Sequence, residues 1–193
     1  MESHWGGSFA RVTDLGRMAL QVVYDEREVD PCLVGVCGLY CGSCDVYRAW
    51  VEQDAPRLQA LAKSLHVDPG SLMCTGCRAP PAFRLTPDCE VKRCAESREL
   101  FFCGECDEFP CEKIAQIETR GGQCAAIEEN AARLRDVGWH AWLREQDARW
   151  RCPECRAKVG FDDPKCHACG HRLEAPASRK IVRPTPKRTP PKK

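Results

Sequence analysis

Cys37-Gly-Leu-Tyr-Cys41-Gly-Ser-Cys44, Cys74-Thr-Gly-Cys77 and Cys103-Gly-Glu-Cys106-Asp-Glu-Phe-Pro-Cys111 set the character of this chain. Cys152-Pro-Glu-Cys155 and Cys166-His-Ala-Cys169 bring the C-x-x-C pairs to five, within a total of 16 cysteines in 193 residues. Each such pair lets two thiolates reach one ion at about 2.3 Å, and two pairs close a tetrahedron around zinc. Disulfide bonding is the competing use of many cysteines. It fits poorly here, because two cysteines separated by two residues are hard to bridge without strain.

Composition points the same way. The hydrophobic fraction of 43% counts the cysteines; without them it falls to roughly 35%, thin for a self-supporting core. Small domains short of core draw stability from disulfides or metal. A structural zinc ion contributes on the order of 10 kcal/mol of apparent binding free energy that is also folding free energy. The first 31 residues show no basic start followed by an apolar run, so they do not read as a signal peptide. No stretch of about 20 apolar residues occurs to span a membrane. Free thiols belong in a reducing compartment, and the expectation is a cytoplasmic protein.

Net charge is +1, but unevenly spread. Residues 175–193 hold seven basic side chains, five prolines and no acid, leaving 22 basic against 28 acidic residues, a net of −6, over 1–174. That tail buries too little apolar surface to order itself and is expected to be disordered. A mildly acidic body with a basic tail argues against a folded basic face for nucleic acid.

Periodicity predicts a mostly α fold, or a small α+β one, rich in loops. Tyr47, Trp50, Val51, Leu58, Leu61 and Leu65 give a helical stripe over about 45–65, which Pro56 kinks or splits. Shorter helices are expected over about 90–100 and from Pro110 to Gly121. A long one covers roughly 123–147, with Ile127, Ala131, Leu134, Ala141 and Trp142 as its stripe and Gly138 its weakest point. Leu15, Met18, Ala19 and Val22 are spaced like one face of a short helix. The resulting plan has an amino-terminal segment (1–31), a cysteine-rich domain (32–121), a long helix (122–148), a zinc ribbon (149–174) and the basic tail (175–193).

The ribbon is the sharper local signal. Cys152 and Cys155, ten intervening residues, then Cys166 and Cys169 followed by Gly170 make two tight turns whose amides can point at the sulfurs. Arg156 stands where a glycine often follows the first turn. With four cysteines present, His167 and His171 read as bystanders.

The larger set comprises Cys37, Cys41, Cys44, Cys74, Cys77, Cys89, Cys94, Cys103, Cys106 and Cys111. Its opening C-G-L-x-C-x-x-C, central C-x-G-C, C-x(4)-C-A stretch and closing C-x-x-C-x-x-[FY]-P-C resemble the domain-of-unknown-function family 3795 (DUF3795) over about residues 35–120. The resemblance implies a cysteine-rich zinc-binding domain, often followed by a ribbon, and no established reaction. Fourteen thiols in closed four-ligand sites predict about three zinc ions, two in 37–111 and one in 152–169. Ten thiols do not divide evenly by four, and the spacing does not fix which share an ion. Cys32 and Cys124 fall outside the pattern and read as small apolar residues.

Cys37-x(3)-Cys41-x(2)-Cys44 has the spacing of radical S-adenosylmethionine enzymes, but those need a large partial barrel that this chain has no length for. Simple iron–sulfur binding in the 37–111 region stays open, since thiolates alone do not choose iron from zinc. Five scattered histidines and no phosphate-binding or nucleophile motif leave conventional catalysis without support. The sequence favours a zinc-binding interaction adaptor with a protein partner. A nucleic-acid-associated ribbon protein and an iron–sulfur or thiol redox protein are the alternatives.

Overall fold

A computed structural model describes residues 29–176; the expected helix face at Leu15–Val22 and the tail beyond residue 176 lie outside them. Five α-helices occur among the described residues: α1 (Asp45–Val51), α2 (Ala55–Leu65), α3 (Glu90–Ser97), α4 (Glu112–Glu118) and α5 (Ile127–Arg149). Short 3-10 turns join them, and the described residues contain only isolated β-bridges, at Val34–Tyr40, Arg151–Lys158 and Lys165–Arg172. The fold is mostly α, as the periodicity predicts.

The stripe over 45–65 splits. Asp54 caps α2, its carboxylate accepting the Arg57 amide at 3.0 Å, and Pro56 sits in the first turn where its missing N–H costs no bond. Because α1 ends at Val51 and the chain turns through Gln53 at φ 54°, the two helices do not share one phase. Val51 and Leu65 are therefore 43% and 49% exposed, while Val46, Ala49 and Ala62 face inward with Leu72.

α4 begins at Glu112 with Cys111 as its N-cap, so Pro110 lies before the helix, in a cis peptide with Phe109. The long helix is broken at Gly138, whose φ 74°, ψ 156° suits glycine alone among the residues. Its amino-terminal half follows a 3-10 turn, Gly122–Ala126. Together the halves bury Ile127, Ala131, Leu134, Trp142 and Leu143. Trp142 is fully buried and meets Tyr40 edge-to-face with centroids 6.0 Å apart. Leu33, Val34, Phe102 and Trp150 complete this core, which ties the first cysteine turn to the helix leading into the ribbon.

Candidate metal centres

Residues 150–173 form two turns of the same kind. The Cys152 amide donates to Ala157 O and the Arg156 amide to Cys152 O; the Cys166 amide donates to His171 O and the Gly170 amide to Cys166 O. Each turn needs a left-handed residue, supplied by Gly170 at φ 75° and by Arg156 at φ 63° in place of a glycine. All four sulfurs lie within 4.8 Å of one another, with Cys152–Cys169 and Cys155–Cys166 at 3.6 Å. A tetrahedron of thiolates at about 2.3 Å from zinc has an edge of about 3.8 Å. The four sulfurs can therefore hold a metal ion. Backbone amides of Cys155 and Glu154 donate to the Cys152 sulfur and bring that thiol down to about 6, favouring the thiolate a metal needs. His167 takes no part: its Nε2 lies 2.9 Å from Asp163 Oδ1.

The ribbon is seated on α1 and α2 by charge. Arg57 Nη2 donates to Asp45 Oδ1 at 2.6 Å and to Asp163 Oδ1 at 2.8 Å, with the three side chains 11%, 16% and 5% exposed. Burial raises the Asp45 carboxyl, and the Arg57 hydrogen bond opposes that rise. Backbone contacts follow the same seam: the Phe161 amide donates to Ser43 O at 2.7 Å, and Arg48 Nη2 to Lys158 O at 3.0 Å. Gly160 packs so close to Asp45 and Arg57 that a Cβ there would strike both side chains.

The ten cysteines of 37–111 sit at element boundaries. Cys37 lies in the turn bridged by Val34 and Tyr40, and Cys41 opens the 3-10 turn Cys41–Ser43. Cys44, Cys89 and Cys111 are the N-caps of α1, α3 and α4. Cys74 and Cys77 occupy the loop after the 3-10 turn Pro69–Leu72, Cys94 lies within α3, and Cys103 and Cys106 bound the 3-10 turn Cys103–Glu105.

Two cavities divide these thiols. Cys94, Cys103, Cys106 and Cys111 line one of about 460 Å³. Cys37, Cys41, Cys44, Cys74, Cys77 and Cys89 line another of about 310 Å³. Neither set converges as the ribbon does: among the described residues, no second group of three donor side chains comes within 4.8 Å of one another. Burial pushes the Cys37 and Cys103 thiols up to about 12, and it raises Cys41 and Cys77 as well. Amides of Tyr47 and Val46 donate to Cys44, but burial outweighs them and its thiol is raised too. A metal binding here must displace protons from these sulfurs.

Arginines at these sites carry no motif in the sequence. Arg78, directly after Cys77, sends Nε to Val34 O at 2.9 Å and Nη2 to Phe101 O at 2.6 Å while stacking 4.1 Å over the Phe101 ring. Arg98 Nη1 donates to Cys106 Sγ at 3.2 Å and holds Glu108 with Nη2. Only the position of Arg78 beside a cysteine pair could have marked it. Cys32 and Cys124 are half-buried rather than fully buried, and Cys124 lies within the turn before α5. His140 stands beside Trp139 and Arg144 on α5, away from both cavities.

No helix among the described residues is long and apolar enough to cross a membrane. Searches of curated proteins and of solved structures return no match to the chain. Residues 33–116, which contain all ten cysteines of the larger set, match the model of the family described as Protein of unknown function (DUF3795).

Proposed function

We propose that this chain is a structural metal–thiolate protein that serves as an interaction adaptor, with zinc in its ribbon and a protein as its partner. The convergence of Cys152, Cys155, Cys166 and Cys169 within 4.8 Å carries the reading. Four thiolates close the coordination shell, leaving no open position for a substrate, so such an ion organises a surface and does no chemistry itself. The ten thiols of 37–111 act as further metal ligands, grouped as the two cavities group them. The acidic balance of residues 1–174 favours a protein partner over nucleic acid, whose phosphates it repels.

Replacing Cys152 and Cys155 by serine tests this. Native mass spectrometry should show one zinc ion lost and the other metal retained. A protein captured by the intact chain should be lost with it. Retention of that zinc removes the ribbon site, and a salt-sensitive shift with mixed nucleic acid in place of protein capture supports the nucleic-acid alternative.

A further inference from the structure

Two sets of four thiols in this chain have the same ligand count and different geometry. The ribbon sulfurs approach to 3.6 Å and all lie within 4.8 Å, close to the edge of a one-ion tetrahedron. Cys94, Cys103, Cys106 and Cys111 instead line a cavity of about 460 Å³, and no three of them meet the same 4.8 Å limit. A single zinc ion draws its four sulfurs together. A [4Fe–4S] cluster holds them apart, because each of its four thiolates binds a different iron and an edge of the cluster separates each pair.

We propose that the cavity lined by Cys94, Cys103, Cys106 and Cys111 holds a [4Fe–4S] cluster carried by these four thiolates, while the ribbon holds zinc. The proposal rests on the reading that these cysteines are metal ligands and adds which metal they take. The four belong to one neighbourhood, since they line the same cavity. They also come from elements fixed independently: the middle of α3, a 3-10 turn and the N-cap of α4.

The lining carries both charges, with Glu90, Glu108 and Glu112 beside Arg98 and Lys113. Arg98 donates to Cys106 Sγ at 3.2 Å and Lys113 lines the same cavity. Cationic donors to cluster sulfurs offset the negative charge of four thiolates and sulfides, and they raise the reduction potential. Ala95, Leu100 and Phe109 supply the apolar part of its lining. Apolar walls and a hydrogen bond to sulfur are among the features by which a protein tunes such a cluster.

The test uses the full chain, purified without oxygen, reconstituted with ferric iron, sulfide and a thiol reductant, and freed of loose metal by chelator. Wild type should carry iron, acid-labile sulfide and visible absorption together with zinc. Cys106→Ser should lose that iron, sulfide and colour while keeping the ribbon zinc; Cys124→Ser should lose none of them. Arg98→Gln should keep its iron and shift the reduction potential downward. A wild-type chain without iron and sulfide overturns the proposal. If Cys106→Ser then loses a zinc ion, the ligand reading survives. If Cys106→Ser changes no metal at all, both fail. Should Cys106→Ser not fold, an iron-loaded Arg98→Gln with an unchanged potential places the cluster elsewhere and refutes the assignment.

Discussion

Replacing Arg57 by methionine keeps the apolar stem and removes the one guanidinium that faces both Asp45 and Asp163. Two carboxylates with side chains 16% and 5% exposed would then face each other across the seam between ribbon and helices. Breaking a buried ion pair from one side typically costs about 3–5 kcal/mol. Asp45 keeps some contact with water, and Asp163 keeps the Gly160 amide and His167, so the low end, about 3 kcal/mol, applies. At about 2–4 °C per kcal/mol for a chain of this size, Tm should fall by about 6–12 °C, measured with metal content held constant. Hydrogen exchange should localise the change to the Gly160 and Phe161 amides, which bond across the seam or beside it. Because burial already raises the Asp45 carboxyl and the substitution removes the hydrogen bond that opposes this rise, the deficit should shrink as pH falls and Asp45 protonates. A Tm change under about 2 °C, with those amides as protected as before, would refute the argument that this cluster seats the ribbon.

Gly160→Ala attacks the same seam sterically, since its Cβ would meet Asp45 and Arg57, and should loosen the ribbon without releasing its metal; unchanged exchange at Phe161 would contradict this. Gly138→Ala meets no neighbouring atom, so its cost is backbone strain alone, about 1–3 kcal/mol, read as a lowered Tm. Trp142→Ala should cost about 3–5 kcal/mol, because the side chain is fully buried against Tyr40; a loss below 1 kcal/mol would mean the core closes around the gap. Acidification should release the ribbon ion as protons compete with it for the four ribbon thiolates, read as metal release in a pH series; an ion retained through the whole acid range would contradict this.

The cysteine pairs, the helices and the break between α1 and α2 just before Pro56 were legible because each is a local signal. The inward face of α1 was not. A stripe through Val51 and Leu65 presumes one continuous helix, and the turn at Gln53 rotates the second half out of phase. Gly138 was visible as a weak point, but its extended ψ of 156° depends on how both halves pack. The grouping of ten thiols into six and four follows from where α3 and α4 lie, which spacing along the chain does not encode. Arg57 and Asp163 are 106 residues apart and belong to no motif, so their pairing had no signature at all.

That separation bears on the order in which the molecule is assembled. Contacts holding the ribbon join residues 106, 110 and 117 positions apart, so α1 and α2 leave the ribosome long before their partner surface exists. At about 5–20 residues per second, the wait is roughly 5–20 s. During that interval Asp45 and Arg57 form a small hydrated patch of opposite charges with nothing laid over it. The ribbon, made later and shaped by its own four cysteines, then closes over that patch as a clasp.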